Sequence, residues 1–461
     1  MRTFLRIVAL LALTGVIVLL AMIFVPVRLT PAVAALPADW RPAEGQGEYV
    51  MRAGDCAACH TAEDGRPFAG GRPIESPMGT IYSTNITPDP DQGIGRYTLD
   101  QFRAALYDGI RGDGAHLYPA MPYENYRMLT EEDVRALYDY FMNEVPPVAD
   151  PIPATDLAFP FNQRWGIRAW NWLALRHPAG FTPVYGDEVL DRGKYLVEAP
   201  GHCGACHSPR NLLMMQDGVT LDGGRFLQGG AIAGWEAPPL SGPASAPQRW
   251  DIPDMARYLG TGRNNHSTAN GEMGLVVEES MQHLTPDDRI AIAAFLKGMP
   301  GGEVVLPATT EPSETVVIPH QPAGDAGKET EALLVSAPAD MAIGPRLYAD
   351  NCMACHFASG TGAAQIFPKL AGNTLVQSDE TMPLISIILN GAHVPSTAQR
   401  PMQLVMQGYR DRLNDQEVAE LATFLRSAWG NDAGPITTER VAEVRAETAE
   451  DAGDPDDTAR D

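Results

Sequence analysis

The chain has 461 residues, with 58 acidic against 34 basic side chains, a formal net charge of −24 and six cysteines. So acidic a chain repels phosphate backbones, which excludes nucleic acid as a partner. The length suits about three domains.

The first element is the run 7–27, uncharged and mostly apolar, long enough to cross a bilayer as one helix. Arg2 and Arg6 precede it, so the positive-inside rule keeps the N-terminus cytoplasmic and exports the chain beyond Arg28. Ala32-Val33-Ala34 has the small residues of a signal-peptide cleavage site. The apolar run nevertheless exceeds the roughly 7–15 residues of a signal h-region. Residues 1–28 therefore read as a retained anchor, with a cleaved leader as the rival.

Residues 42–145 form a first module. Gly47-Glu48-Tyr49 opens it with a helical pattern in which glycine permits a close helix crossing and the aromatic fills the space beside it. Cys56-Ala57-Ala58-Cys59-His60 comes next. Phe102, Leu106 and Gly109 then stand at i, i+4 and i+7, one face of a helix ended by glycine. A last helix starts at Thr130, with Val134, Leu137, Tyr138 and Phe141 on one face.

The same order recurs twice. In residues 187–299 it is Gly193-Lys194-Tyr195, Cys203-Gly204-Ala205-Cys206-His207, the face Met255, Leu259, Gly262, and a helix from Thr285-Pro286. In residues 341–431 it is Gly344 with Tyr348, Cys352-Met353-Ala354-Cys355-His356, the face Leu384, Ile388, Gly391, and a helix capped by Asn414 with Glu417 three residues on. Between them, 146–186 is rich in proline and aromatics, including Trp165, Trp170 and Trp172, and is expected to pack across the first two modules. Residues 300–340, rich in Pro, Thr, Glu and Ala, read as an extended tether. Residues 432–461 read as an acidic, solvated tail.

The three Cys-x-x-Cys-His copies use every cysteine. This is the attachment signature of c-type haem: two thiols form thioethers, and the histidine supplies an axial nitrogen. Zinc ribbons want a second pair nearby, and dithiol redox motifs want a βαβ setting; neither surrounds these copies. The expected fold class is all-α, with three tandem class I cytochrome c-like domains after an N-terminal transmembrane helix. The expected cofactors are three covalently bound haem c groups, held by Cys56 and Cys59, Cys203 and Cys206, and Cys352 and Cys355. His60, His207 and His356 are the expected iron ligands. Covalent haem attachment places these domains outside the cytoplasm, in the periplasm.

A low-spin carrier fills both axial positions, and a methionine thioether favours a higher potential than a second histidine. The loop before each last helix is the natural source. Met121, flanked by Pro119-Ala120 and Pro122, is favoured over Met128, which lies beside the helix cap. Met273, between glycines 271 and 274, is favoured over Met281. Met406 stands eight residues before Asn414, as Met121 stands nine before Thr130, and is favoured over Met402. His116, His266 and His393 are the nearby candidates for bis-histidine ligation. The hydroxyl- and amide-rich stretch 79–87 is expected to hold haem propionates, and the Pro368 carbonyl to brace His356.

On the stretch Ala53 to Thr61, on Ser83 to Pro88, Leu117 to Tyr123, Phe159 to Arg164 and Gly391 to Asn431, the chain resembles the membrane-bound triple-haem cytochrome c subunits of bacterial periplasmic dehydrogenases. The resemblance covers about residues 45–431. It implies Met121, Met273 and Met406 as sixth ligands. It implies electron relay from a dehydrogenase catalytic subunit, bearing pyrroloquinoline quinone, flavin or molybdopterin, to ubiquinone or another respiratory acceptor. It implies the bacterial inner membrane, with soluble domains facing the periplasm, and no catalytic residues of the chain's own. The third loop departs from the family, reading Met406-Gln407 where Met-Pro is frequent. The rival readings are a freestanding shuttle or redox sensor, and a haem enzyme with one open iron.

Overall fold

The computed structural model describes residues 1–25, 27–232, 235–243, 245–299, 304, 306 and 324–448. By internal contacts the chain divides into two compact units: 1–186 with 195–226, and 187–194 with 227–461.

The first unit begins with helix α1 (Arg2–Phe24), whose Leu10, Leu11 and Ile17 side chains are exposed. The apolar stretch Thr3–Ala21 is about 28 Å long at 1.5 Å per residue, close to a bilayer's hydrocarbon thickness. An extended strap leads on from it and is pinned to the unit. Thr30 donates through its backbone N–H (2.8 Å) and Oγ1 (2.6 Å) to the Asp108 carboxylate, which also pairs with Arg127 at 2.9 Å.

Helices α2 (Gln46–Ala53), α3 (Leu99–Asp108) and α4 (Glu131–Asn143) form the frame of this unit. Thr98 and Gln101 make a capping box on α3, and the Thr130 side chain caps α4 through the Asp133 N–H, as the sequence pattern requires. A Cβ on Gly47 would lie 2.4 Å from the Ala136 carbonyl oxygen, so glycine is what lets α2 cross α4 this closely. Phe102, Val134, Leu137 and Phe141 are buried between the helices. A small antiparallel sheet, β1 (Pro73–Ser76), β2 (Gly79–Tyr82) and β3 (Asp156–Leu157), departs from the all-α expectation.

The connector 146–186 supplies β3 and helix α5 (Ile167–Ala174) and packs as expected. Asn171 accepts from the Tyr123 hydroxyl at 2.8 Å, and Trp170 Nε1 donates to the Leu213 carbonyl at 2.8 Å, tying α5 to the loops after both of the first two cysteine motifs. Arg168 donates to the Ala21 and Val25 carbonyls, at the C-terminal end of α1.

Helix α6 (Glu188–Glu198) is succeeded in the second unit by α7 (Ile252–Thr261), α8 (Gly271–Glu279) and α9 (Pro286–Gly298). The close crossing recurs: a Cβ on Gly193 would meet the Ala291 carbonyl oxygen at 2.0 Å. Thr285 caps α9 with proline in its first turn.

Two expectations are corrected in the rest of this unit. Within the tether 300–340, residues 325–336 form helix α10 (Asp325–Ser336); most of 300–323 lies outside the described residues. Leu334 of α10 is 1% exposed in the same core as Tyr348 and Trp429. Within the tail 432–461, residues 438–447 form a helix with Val441 and Val444 fully buried, while 449–461 lie outside the described residues. Burial of one leucine and two valines stabilises each segment by about 1.5–3 kcal/mol per side chain, enough to order short helices that their polar composition hides.

The remaining elements are α11 (Ile343–Asn351), α12 (Met382–Asn390), the hairpin β4 (Ala392–His393) with β5 (Val405–Met406), α13 (Asp415–Ser427) and α14 (Thr438–Glu447). Asn414 and Glu417 form the expected capping box on α13. A Cβ on Gly344 would lie 2.5 Å from the Glu420 carbonyl oxygen, the third such crossing. Tyr348 fills the adjacent space against Phe424 and Trp429, with ring centroids 5.6 and 5.0 Å away.

Candidate functional site

Each Cys-x-x-Cys-His copy winds into one short helical turn: Cys56–His60, then Gly204–His207 with Cys203 at its cap, then Met353–His356 with Cys352 at its cap. A turn of helix puts the first cysteine and the histidine on the same side, four residues apart. None of the six cysteines is in a disulfide. Cys59 and Cys355 are exposed, and the others are half-buried. Burial pushes the Cys56, Cys203 and Cys352 thiols up to about 12. Among the described residues, no group of three or more His, Cys, Asp or Glu side chains is placed to hold a metal ion.

Two of the three motif histidines are prepared as neutral ligands. His60 Nδ1 lies 2.6 Å from the Thr84 carbonyl, and His356 Nδ1 lies 3.0 Å from the Pro368 carbonyl. A carbonyl only accepts, so each Nδ1 carries the proton and each Nε2 presents a lone pair. Burial pulls both imidazoles below their ordinary pKa, and the carbonyl bond opposes it. The expected Pro368 bond is present. The Thr84 equivalent escaped the sequence because a backbone acceptor leaves no side-chain signature. His207 is half-buried at the end of its turn in the first unit.

The methionines separate by exposure. Met121 is half-buried in a turn where its N–H donates to the Tyr118 carbonyl at 3.2 Å and its own carbonyl accepts from Tyr123 at 2.8 Å. Its rival Met128 is 5% exposed and enclosed by protein. Met273 is half-buried in the first turn of α8, in the second unit, whereas Met281 is 4% exposed. Met406 is half-buried in β5 and packs on the third core; Met402 is 71% exposed. A Cβ on Gly391 would meet the Met406 carbonyl at 2.3 Å, so glycine at φ +81° sets this strand's approach. Of the histidine alternatives, His116 is buried, His266 stacks on Trp250 at 5.7 Å and faces Asp254, and His393 is exposed.

Several polar side chains of 79–87 make bonds within the protein. Thr80 Oγ1 donates to Glu75, the Ser83 hydroxyl accepts from the Arg72 N–H, and Asn85 and Thr87 bond each other and the Val148 carbonyl. They brace the loop that carries the Thr84 carbonyl to His60.

The first two motifs are joined within the first unit. Tyr126 donates to the Gly54 carbonyl at 2.6 Å, and its ring meets His202, the residue before Cys203, edge-on at 5.5 Å. Asn125 donates to the Glu198 carbonyl at 2.9 Å and accepts from Gln216 at 2.7 Å. Cysteine turns, His60 and His356 with the proton on Nδ1, and half-buried methionines together suit a c-type haem. Such a group would be held by thioethers and an axial pair.

Comparison with known proteins agrees. Residues 341–429 match the family model for cytochrome c. The chain is 42% identical to the cytochrome c subunit of alcohol dehydrogenase (quinone) of Gluconacetobacter polyoxogenes, over 87% of this chain and 83% of that one. It is 40% identical to the gluconate 2-dehydrogenase cytochrome c subunit of Pantoea cypripedii, over 87% and 89%. It is 38% identical to the fructose dehydrogenase cytochrome subunit of Gluconobacter japonicus, over 91% and 85%. Motif, fold and similarity along most of the sequence converge, and the chain belongs to the family of dehydrogenase cytochrome c subunits.

Proposed function

We propose that this chain is the electron-relay subunit of a periplasmic dehydrogenase complex, built as three class I-like cytochrome c domains with one covalent haem each. The observation that carries the reading is the threefold recurrence of a cysteine–histidine turn behind a glycine-crossed helix pair. Cys56 and Cys59, Cys203 and Cys206, and Cys352 and Cys355 would hold the three groups. His60 with Met121, His207 with Met273, and His356 with Met406 would complete the iron coordination. Bound haem supplies one-electron exchange between ferric and ferrous iron. The chain's own residues fix the imidazole tautomer, exclude water and set the ligand type. The relatives named above support a catalytic partner that oxidises an alcohol, a sugar or a sugar acid, with ubiquinone or another respiratory acceptor receiving the electrons.

The membrane reading rests on α1 and the strap behind it. Cleavage after Ala34 would remove Thr30 and its bonds to Asp108, together with the α1 carbonyls that receive Arg168. The strap is part of the folded unit, which supports a retained anchor in the bacterial inner membrane with the domains on the periplasmic side. Mass spectrometry of the mature protein tests this: an N-terminus at Val33 or later refutes it.

The relay reading is tested by purification from native membranes in mild detergent. The expected result is co-purification with a large dehydrogenase subunit and three haems per chain by pyridine haemochrome assay. A cytochrome that emerges alone, or with fewer haems, overturns it. Met121→Ala is expected to abolish the weak far-red thioether-to-iron band of one haem and lower its potential; unchanged optical and redox behaviour rules out Met121 as a ligand.

A further inference from the structure

The loop between α7 and α8 buries a guanidinium that meets no carboxylate. Arg263 is 4% exposed. Its Nη2 donates to the carbonyls of Pro395 (3.3 Å) and Met402 (3.0 Å), both in the loop leading to Met406. Its Nε is buried without a hydrogen-bond partner. Burial pulls its pKa down, and the neighbouring Arg400 adds to the effect. Arg400 is exposed and its Nη2 donates to Gln365 Oε1 at 2.7 Å. Gln365 is 5% exposed, and its N–H donates to the Asn264 carbonyl at 3.0 Å. It belongs to the short loop between His356 and Pro368, the residue whose carbonyl holds the His356 ring.

Two like charges and an orphaned donor at one place are unfavourable unless an anion shares them. The guanidinium fork matches a carboxylate in shape. Among the described residues no acidic side chain pairs with Arg263 or Arg400. A c-type haem brings carboxylates of its own, its propionates.

We propose that Arg263, reaching across from the second module, and Arg400 together hold a propionate of the haem ligated by His356. The assignment rests on the reading that the third module carries a haem. It makes the third haem's potential depend on a residue about 90 positions before its own cysteines. Without that positive charge the ferric form gains relative to the ferrous form, because the reduced iron carries one charge less.

The test is spectroelectrochemical titration of the full-length holoprotein carrying Arg263→Gln, Arg263→Lys or Arg400→Gln, with Met406→His marking the third haem's wave. Arg263→Gln is expected to shift that haem's reduction equilibrium about tenfold toward the ferric form, about 59 mV downward for one electron. Arg263→Lys keeps the charge and should restore most of the shift. Arg400→Gln alters an exposed residue, so it carries the test if Arg263→Gln does not fold, and it should move the same wave the same way. Unchanged potentials with full haem content, or a shift in a different haem, overturn the proposal. Mass spectrometry of the peptide containing 352–356 separates the two levels: a peptide without haem refutes the third-haem reading itself.

Discussion

Gly344→Ala probes the helix crossing in the third core. The added Cβ would lie 2.5 Å from the Glu420 carbonyl oxygen and 3.0 Å from Phe424 Cβ. Ordinary contact begins at 3.4 Å, so α11 and α13 would have to separate by about 0.9 Å. The obstacle on the α13 side is backbone, which cannot rotate away. Overpacking of this kind costs about 1–3 kcal/mol, and rigid backbone argues for the upper end. The alanine returns about 1 kcal/mol of helix propensity. The net expectation is about 2 kcal/mol, or about 30-fold in the local opening equilibrium. Hydrogen-exchange mass spectrometry of the holoprotein reads it directly: protection of α11 and α13 amides should fall by about that factor. Gly434→Ala is the control, since nothing lies within 4 Å of a Cβ there, and it should leave protection unchanged. Full protection in Gly344→Ala would refute the argument that glycine sets the crossing.

Two further outcomes come from buried charges in the first unit. Glu124 is 3% exposed, and burial pushes its carboxyl from 4.5 to about 7, against the pull of Arg210. The folded chain therefore holds a proton that the unfolded chain releases, and stability falls as pH rises from about 4.5 through about 7. The loss is up to about 3 kcal/mol above that window. Glu124→Gln should melt higher than the parent at pH 8 and equally at pH 4; equal melting at both refutes the buried-proton argument. Glu131 is fully buried and takes two bonds from Arg103 (2.6 and 3.1 Å) and one from Arg135 (3.1 Å). Glu131→Gln leaves a buried guanidinium under-compensated and should cost about 3 kcal/mol in thermal or denaturant unfolding; a melting curve matching the parent's would show that the exposed Asp100 suffices for Arg103.

The chain declares in its sequence whatever local geometry requires. Thr130, Thr285 and Asn414 announce their helices because an N-cap needs a particular side chain at a particular offset. Gly47, Gly193 and Gly344 announce the crossings because no other residue fits. The Pro368 bond was legible from its position after the third motif. The helices 325–336 and 438–447 were not, because each is held by a few apolar contacts, Leu334 in one and Val441 and Val444 in the other, made to a core assembled from distant segments. The Thr84 carbonyl was hidden because every residue has one. Arg263 was hidden because its meaning depends on Arg400 and on neither pairing with an acid, although Glu278 bonds the Ser396 N–H in the same loop, a property of space and not of spacing. In the 79–87 stretch the composition marked polar side chains and left their partners open: Asn85 and Thr87 bond each other, and Thr80 bonds Glu75.

The strap after α1 sets a leash. From Phe24, where the helix ends, to Thr30, clamped on Asp108, the chain runs six residues, about 21 Å at full extension. With α1 in the bilayer, the first module is confined to a layer no thicker than a small protein above the lipid. Its encounters with anything dissolved in that bilayer then become a two-dimensional search at high effective concentration, whereas a partner free in the aqueous phase must come down to meet it. Lengthening the strap by a flexible insert between Val25 and Thr30 would dilute the first kind of encounter and leave the second nearly untouched, so with α1 in a bilayer six residues of ordinary sequence would set the balance between the two.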